Sequence, residues 1–560
     1  MTSEEIRKKF LEFFEKRDHI VVPSASLVPE NDPSVLFTTA GMQQFKPYFT
    51  APKEAIKNFG SLNTASIQKC VRTSDIESVG DESHLTFFEM LGNFSFGGYG
   101  KKKAIQYGYD FITKEMGLRI DYVSVFKGEL DIPADSESEK IWKEVDPNIE
   151  IKKAGREDNF WGPTGLEGPC GPTSEIYVNG VEIWNLVFNE YYQNSDKSLK
   201  KLETLGIDTG MGLERLAVSV QNKKNIFETD LFEPIISKIR EFVSHEISFH
   251  AERIVADHIR TAVFMASDGV VPSNTDRGYI LRRIIRRMVR YGKQLGISKN
   301  NLVSLIDVIN KEYGNIYSLI RENKRIIEGG IGDEIDRFEG TLENGLKEFE
   351  RGADAFTLFT TYGFPLELTL ELAKEKNVVI DIEEFNKKLK DHQELSRTSS
   401  AGMFKGGLAD LESQTIRLHT AHHLLLAALQ ELFGKDVKQR GSNITQERLR
   451  MDFSFPRKLT AEELKKAEDI VNLRINENLK VIRKEMPRVE AESLGAEMEF
   501  GAKYPEVVSI YFIEDKDGNI ISKEFCGGPH IDQTGELGRF KILKEEAVSA
   551  GVRRIKAKLE

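Results

Sequence analysis

The chain has 560 residues, of which 40% are hydrophobic and 30% are charged, a balance typical of a globular protein with length for three or four domains. No apolar run approaches the roughly twenty residues that cross a bilayer, and the polar first ten residues do not resemble a secretion signal, so a membrane or exported protein is excluded. Three cysteines are too few and too scattered for a disulfide framework, so we expect a cytoplasmic protein. The net charge of −11 argues against a nucleic-acid partner only if it is evenly spread, and it is not.

Residues 68–96 are predicted to form a β-hairpin, because two apolar-rich stretches flank a polar connection. Arg72 is expected to point from the first strand into a site. Phe88 and Met90 alternate on the second strand and would therefore lie on one face, against a flat ring such as adenine. Two ordinary core strands with a solvated arginine are the alternative.

Three glycines, a carboxylate and an arginine lie together in the segment GIDTGMGLERLA. Gly206, Gly210 and Gly212 predict a tight backbone bend that a ligand can approach closely. Asp208 precedes this bend and is a candidate partner for a ligand ammonium group. Arg215 lies early in a predicted helix, where its planar guanidinium suits a polyphosphate. Taken alone, such glycines also fit a plain turn.

From position 282 to 293 the chain carries six basic residues and no acidic one. Apolar residues recur between them at helical spacing, so Arg282, Arg286 and Arg290 are predicted to form one stripe along a helix. A basic stripe suits the phosphate backbone of a nucleic acid. The alternative is a surface helix whose arginines form ion pairs with neighbouring segments.

Composition divides the chain into three predicted domains. Residues 1–240 mix aromatic and β-branched segments with helices and hold both arginine-bearing motifs. Residues 241–398 are mainly helical with charged amphipathic runs, and residues 399–560 change character again. The small-residue stretch at 396–407 is the predicted linker between the last two domains.

A second kind of site is predicted after this linker. His419 and His423 lie one turn apart on an amphipathic helix. Cys526 and His530 flank two glycines, which allow a turn that brings both side chains together. A histidine pair on a leucine-rich helix is by itself more often core packing, but three imidazoles with one thiolate suit tetrahedral zinc.

The hairpin and the glycine segment together resemble motifs two and three of class II aminoacyl-tRNA synthetases. The likeness is greatest to the alanyl-tRNA synthetase family and runs through nearly the whole chain, in the segments SLVPENDPSVLFTTAGMQQFKPYF, DNFWGPTGLEGPCGPTSEI, EIWNLVF, ADHIRTAVF, DGVVPSN and RGYILRRIIRR. It implies an α+β multidomain fold, with a class II antiparallel sheet flanked by helices, a helical tRNA-recognition domain and an α+β zinc-binding editing domain. The implied activity is ATP-dependent ligation of alanine to tRNA(Ala) through alanyl-adenylate, with Mg²⁺ bound to ATP.

The resemblance also assigns roles to individual residues. Arg72 would hold the α-phosphate and the amino-acid carboxylate, Arg215 the γ-phosphate, and Asp208 the ammonium group of alanine. Further ATP contacts are implied for Glu77, His84, Phe88 and Met90. Further alanine contacts are implied for Met42, Trp161, Val187 and Gly210. Contacts with tRNA are implied for Asn274, Arg282, Arg286, Arg290 and Thr360.

A separate editing site has a physical reason. A pocket sized for alanine cannot strongly exclude glycine, since one methyl group is worth about 1–3 kcal/mol, and it rejects the hydroxyl of serine only about a hundredfold. The resemblance places hydrolysis of mischarged Ser- or Gly-tRNA(Ala) in the third domain, with Gln439 as an editing residue. The zinc ligands implied there are His419, His423, Cys526 and His530. Zinc with four protein ligands has no open position and would organise the site.

Three features depart from the family pattern. The family's coiled coil, its C-terminal globular domain and the β-barrel before the editing helix are not found, so we expect a monomer. Thr360 replaces an aspartate that, with Asn274, reads the G·U pair of the acceptor stem, which predicts weaker dependence on that pair. His422 replaces a threonine and would crowd the editing pocket, act as a base, or be a solvated bystander, of which we favour the last.

Two other functions remain open. One is a class II synthetase for another small amino acid, such as a threonyl enzyme, although that family places its editing fold N-terminally. The other is a non-catalytic RNA-binding relative. The presence of Arg72, Asp208 and Arg215 together favours a catalytic alanyl enzyme.

Overall fold

The computed structural model describes residues 1–29, 35–129, 132–163, 165–401, 412–498, 505–549 and 551–560, with the backbone alone at 392–401 and 549. These residues form two compact units, Met1–Asn377 and Val378–Glu560. Residues 396–401 continue a helix where the sequence predicts a small-residue break, and residues 402–407 of that stretch lie outside the described part. Among the described residues, no helix is long and apolar enough to cross a membrane.

One nine-stranded sheet organises the first unit. Its strands are β1 Ile20–Val21, β2 Asn63–Val71, β3 Phe87–Phe96, β4 Tyr122–Phe126, β5 Glu150–Ala154, β6 Phe160–Trp161, β7 Gly168–Val178, β8 Val181–Gln193 and β9 Leu199–Gly212. Their order is β1-β2-β3-β9-β8-β7-β4-β5, with β6 paired to β7. The pairs β1–β2 and β4–β5 are parallel and the others are antiparallel, which confirms the predicted fold class.

Helices flank this sheet and then form a bundle of their own. They are α1 Ser3–Glu15, α2 Pro52–Phe59, α3 Lys101–Asp110, α4 Ser136–Val145, α5 Arg156–Asn159, α6 Leu213–Val220, α7 Glu233–Phe242, α8 Phe249–Ser267, α9 Asp276–Gln294, α10 Lys299–Tyr313, α11 Ser318–Glu322, α12 Lys324–Glu350, α13 Ala355–Thr360 and α14 Leu366–Glu375. Phe87 of β3 stacks on Phe264 of α8 with ring centroids 3.9 Å apart. The bundle and the sheet therefore share one hydrophobic core.

The predicted hairpin is confirmed by the pairing of β2 with β3, in which Cys70 lies opposite Phe88. β9 pairs with the other edge of β3, and Asp208 lies opposite Phe94. Because β3 pairs with β9, the two arginine-bearing segments meet on adjacent strands. The sequence predicts Arg72 within the first strand, but β2 ends at Val71 and Arg72 is the first residue after it.

The predicted bend at the glycines is wrong, because Gly206, Gly210 and Gly212 lie within the extended strand β9. Gly206 and Gly210 are instead closely packed. A Cβ atom at Gly206 would lie 2.4 Å from the Phe49 ring, and one at Gly210 would lie 2.9 Å from Met90 Sδ. A larger residue would force Phe49 or Met90 to shift, so these two glycines let neighbouring side chains, rather than a ligand, pack against the strand.

The second unit contains two smaller sheets. Its helices are α15 Ile382–Ala401, α16 Ser413–Phe433, α17 Ala461–Asn476 and α18 Arg488–Ser493. Its strands are β10 Gln439–Ile444, β11 Leu449–Ser454, β12 Lys480–Pro487, β13 Val507–Glu514, β14 Ile520–Phe525, β15 Phe540–Ser549 and β16 Val552–Leu559. They form the sheets β10-β11-β16-β15 and β12-β13-β14. The apolar residues of α16 and α17 share a core with β11 and β16.

Candidate active site and metal-ligand cluster

A cavity of about 400 Å³ in the first unit is lined by residues of β3, β7, β8, β9 and the loop between β2 and β3. It collects side chains that are far apart in the sequence. Nine of the predicted ATP- and alanine-binding residues line it: Arg72, His84, Phe88, Met90, Trp161, Val187, Asp208, Gly210 and Arg215. The fold thus brings both motifs to one place.

Two other residues predicted for this site lie elsewhere. Met42 is buried in a short 3₁₀ helix, within a hydrophobic cluster that packs against Met90 and Trp161. Glu77 lies on the loop between β2 and β3 and forms an ion pair with Arg283 of α9. Met42 therefore supports two side chains that line the cavity, and Glu77 is turned toward the helical bundle.

Asp208 is a buried acid of the cavity, with 5% of its surface exposed. It lies on β9 opposite Val187 of β8. Burial raises the pKa of its carboxyl group to about 7. A ligand ammonium group beside the carboxyl would favour the charged form again. The site is therefore suited to a primary amine, as the sequence predicts.

The two arginines of the cavity have fixed surroundings. The backbone N–H of Arg72 donates to the carbonyl of Thr86, 3.0 Å away, and its guanidinium carbon lies 5.0 Å from the centroid of the Phe88 ring. Arg215 is on the first turn of α6, and its Nη1 lies 3.0 Å from a carboxylate oxygen of Glu182. Both guanidinium groups line the cavity, where they can bind phosphate oxygens.

Polar residues that the sequence analysis missed also line the cavity. Burial raises the pKa of Glu175 to about 7, although Tyr177 donates a hydrogen bond to its carboxylate at 2.7 Å. Asn185 Oδ1 and Trp161 Nε1 have no hydrogen-bond partner among the described residues. An acid inside the otherwise buried strand GPCGPTSEIYV was the available signal for Glu175, because lone acids are rarely buried without a reason.

The arginine stripe of α9 forms as a helix, but carboxylates already occupy it. Arg282 and Arg286 both contact Glu334 of α12, at 3.2 and 2.8 Å. Arg290 contacts Glu371 of α14 at 2.9 Å, and its side chain is only 5% exposed. The alternative of ion pairs with neighbouring segments is therefore the observed one, and contact of these three arginines with tRNA remains a prediction that the structure does not favour.

The two residues implied in reading the acceptor stem are both exposed. Asn274 Oδ1 accepts a hydrogen bond from Arg282. Thr360 is the last residue of α13, and its hydroxyl donates to the carbonyl of Phe356 at 2.7 Å. Since its hydroxyl proton is used within the helix, Thr360 presents a lone pair outward and no charge.

The four predicted metal ligands converge in the second unit. Their donor atoms all lie within 4.8 Å of one another. Cys526 Sγ is 3.4 Å from His419 Nε2 and 3.3 Å from His530 Nε2. The histidines of α16 and the turn after β14 thus meet as the sequence predicts.

The outer nitrogens of the three imidazoles are each bonded to an oxygen. His419 Nδ1 lies 3.0 Å from the carbonyl of Pro529, and His530 Nδ1 lies 3.0 Å from Thr420 Oγ1. His423 Nδ1 lies 2.8 Å from the carboxylate of Glu524. Such bonds orient metal-binding imidazoles and leave Nε2 for the metal. The residues present therefore fit a zinc ion.

A small cavity of about 30 Å³ adjoins this cluster. Gln439 and His422 both line it. The prediction that His422 is a solvated bystander is wrong, because the residue is 2% exposed. Neither of its ring nitrogens has a partner among the described residues, and burial beside His423 holds its pKa well below the ordinary value.

The family comparisons agree with this geometry. Residues 5–435 match the family described as tRNA synthetases class II (A), and residues 508–556 match the second additional domain of threonyl and alanyl tRNA synthetases. An alanine–tRNA ligase of Borreliella afzelii is 44% identical over 599 aligned residues, which cover 100% of this chain and 99% of the relative.

The chain belongs to the alanyl-tRNA synthetase family. An alanine–tRNA ligase of Treponema denticola is likewise 44% identical, covering 100% of this chain and 99% of the relative. One from Thermotoga maritima is 37% identical and covers 100% of this chain and 80% of the relative. Of the four metal-ligand candidates, His419 and His423 fall in the first matched region, and Cys526 and His530 fall in the second. The fold of the second unit brings these two residue pairs together in one cluster.

Proposed function

We propose that this enzyme ligates alanine to tRNA(Ala) in two steps, through alanyl-adenylate. The carboxylate of alanine attacks the α-phosphorus of ATP, and pyrophosphate leaves. Arg72 would neutralise charge on the α-phosphate and the attacking carboxylate, and Arg215 would hold the γ-phosphate, while Mg²⁺ enters bound to ATP. The meeting of Arg72, Arg215 and the buried Asp208 in one cavity is the observation that carries this proposal.

Selection of alanine would follow from the shape of the same cavity. Asp208 binds the ammonium group, and Trp161 and Val187 border the methyl group. Met90 fills the space beside Gly210 and limits the cavity there, since even a Cβ atom on Gly210 would lie 2.9 Å from Met90 Sδ. Glycine and serine are then rejected weakly, because one methyl or hydroxyl group changes the binding free energy little.

The experiment that tests this proposal is ATP–pyrophosphate exchange with alanine, serine, glycine and threonine, followed by charging of transcribed tRNA(Ala). We expect exchange with alanine to be the most efficient and charging to follow. Exchange that is greatest with another amino acid would contradict the choice of alanine. Absence of exchange with all four would contradict the activation step.

Alanine binding is expected to strengthen as pH rises through 7. The raised pKa of Asp208, about 7, keeps its carboxyl protonated below that pH, and only the carboxylate attracts the ammonium group. The KM for alanine in exchange should be about tenfold lower at pH 8 than at pH 6. Glu175 titrates in the same range, so Glu175→Gln is the control and should keep the same pH profile. A pH-independent KM for alanine would contradict the assignment to Asp208.

With Thr360, charging by this protein is expected to depend less on the G·U pair of the acceptor stem than it would with an aspartate at that position. Thr360→Asp should therefore increase the preference for G·U over G·C tRNA about fivefold, since a hydrogen bond to a charged group is worth about 1 kcal/mol more than a neutral one. Charging of the G·U and G·C tRNAs by the parent protein and by Thr360→Asp measures this preference. An unchanged preference in Thr360→Asp would show that position 360 does not read the pair.

We further propose that the second unit hydrolyses mischarged Ser- or Gly-tRNA(Ala). Support comes from the match to the second additional domain and from the cavity that Gln439 shares with the metal-ligand cluster. His419, His423, Cys526 and His530 would hold zinc, which would organise the turn after β14. With four protein ligands the ion has no open position for substrate. Hydrolysis would depend on residues beside the cluster, such as Gln439.

His422 is expected to limit hydrolysis of Ser-tRNA(Ala). The cavity it lines has room for little more than one water molecule, so an imidazole there would crowd a seryl group more than a glycyl group. His422→Thr should raise the ratio of Ser- to Gly-tRNA(Ala) hydrolysis about tenfold. Deacylation assays with both substrates measure the ratio. An unchanged ratio, with zinc content equal to that of the parent protein, would contradict this role.

A further inference from the structure

The loop at residues 72–86 carries Arg72 and His84 into the cavity, and α8 and α9 fasten its outer side. Arg253 of α8 donates to the carbonyl of Gly80 at 3.4 Å. Arg283 of α9 pairs with Glu77. The bundle that carries these helices was predicted only to recognise tRNA, yet it contacts the loop that serves ATP.

Arg287 of α9 is the most deeply buried of these contacts, with 3% of its side chain exposed. Its Nη1 donates to the carbonyl of Ile76 at 2.8 Å, and its Nη2 donates to the carbonyl of Val79 at 3.3 Å. Its Nε donates to Glu371 of α14. The guanidinium plane therefore fixes two carbonyl groups of the loop at once, which a planar fork of donors does best.

His258 and Asp257 of α8 complete the arrangement. Arg287 Nη1 lies 3.0 Å from His258 Nε2, so this nitrogen accepts the bond and the proton of the imidazole is on Nδ1. Nδ1 then donates to Asp257 at 2.8 Å. The other carboxylate oxygen of Asp257 accepts from the backbone N–H of Thr86 at 2.9 Å. The middle of the loop, at Ile76 and Val79, and its end at Thr86 are thus tied to one buried network.

The end of the loop at Thr86 also holds Arg72. The carbonyl of Thr86 accepts the backbone N–H of Arg72, so a shift of Thr86 moves the residue that is expected to grip the α-phosphate. All members of the network, Arg287, His258 and Asp257, are buried and lie outside the cavity lining. They can act on ATP only through the loop.

We propose that Arg287 is a positioning residue for ATP, which holds the loop at 72–86 so that Arg72 and His84 face the nucleotide. This inference rests on the proposed function in one respect, namely that the loop serves ATP. It assigns to the helical bundle a part in amino-acid activation. A displacement of about 1 Å in such a group costs up to about a hundredfold in rate.

The test compares Arg287→Met and Arg287→Lys with the parent protein, by calorimetric titration with ATP and by pyrophosphate exchange. Arg287→Met should weaken ATP binding at least about tenfold and raise the KM for ATP more than the KM for alanine, because Asp208, which would hold the alanine ammonium group, lies on β9 and not on the loop. Arg287→Lys should fall between the two, since an ammonium group donates to one carbonyl but lacks the fork. Hydrogen exchange of the amides at 76–86 should be faster in both variants.

Lys101→Met is the matched control, because Lys101 is also a buried cation, and its partners, which include the carboxylates of Asp135 and Glu190, lie outside the loop. It should lower the melting temperature and leave ATP binding unchanged. If Arg287→Met does not fold, His258→Phe replaces it and should weaken ATP binding in the same way. Equal losses for ATP and alanine, a loss of ATP binding in Lys101→Met, or unchanged ATP binding in the Arg287 variants would overturn the proposal. A parent protein that binds ATP normally but shows no pyrophosphate exchange with any amino acid would instead refute the proposed ligation. Comparison of ATP binding by the Arg287 variants and the parent would then still test the positioning role.

Discussion

Replacing Arg72 with glutamine is expected to lower kcat/KM for alanine-dependent pyrophosphate exchange by about 10²- to 10³-fold. The guanidinium lines the cavity beside Phe88 and would neutralise charge that builds up as the carboxylate attacks phosphorus. Glutamine keeps much of the side-chain length but removes the charge and the paired donors. Exchange kinetics with alanine and ATP both varied would measure the loss.

Two variants control this experiment. Arg72→Lys keeps the charge without the planar fork and should retain activity between the parent and the glutamine variant. Arg351 is paired with Glu348 on the surface and does not line the cavity, so Arg351→Gln should exchange normally. A loss of less than about threefold in Arg72→Gln would contradict the role proposed for Arg72.

Replacing Cys526 with serine is expected to remove zinc binding and to reduce hydrolysis of Ser-tRNA(Ala) at least about a hundredfold. Cys526 Sγ lies within 3.5 Å of two imidazole nitrogens, and a hydroxyl group is a much poorer zinc ligand than a thiolate. Pyrophosphate exchange should be unchanged, because its cavity belongs to the first unit. Metal analysis of the purified protein and deacylation assays give the two readouts.

Cys170→Ala is the matched control, since Cys170 is also a buried free cysteine but lies in the first unit. It should keep one zinc per chain and normal deacylation. Treatment of the parent protein with a chelator should reproduce the Cys526→Ser result for hydrolysis. Retention of zinc by Cys526→Ser would show that the four residues do not form the metal site.

Local sequence patterns were sufficient for the pieces of the active site. Two apolar-rich stretches predicted the hairpin, the apolar periodicity around Arg215 predicted a helix, and the spacing of His419 and His423 predicted one helical face. Each of these rests on the period of a single element, which the sequence carries. The hairpin, α6 and α16 follow these predictions.

Predictions about which side chains surround a given residue were less reliable. The glycines of β9 were expected to bend the chain, but Phe49 and Met90, distant in sequence, demand small residues in a straight strand. His422 was expected in solvent, and the packing of the second unit buries it. Local periodicity does not reveal which distant side chain will lie against a residue.

By itself, the sequence determined the fold class, the family and the residue types of both candidate sites, because these depend on motifs and on short-range spacing. Only the tertiary structure decided which charged side chains are paired with an opposite charge. The arginines of α9 are a basic stripe in the sequence, yet Glu334 and Glu371 come from helices that follow later in the chain. The raised pKa of Asp208 likewise depends on burial by neighbouring strands. Charge pairing and burial are set by contacts between distant segments, and local sequence patterns do not specify those contacts.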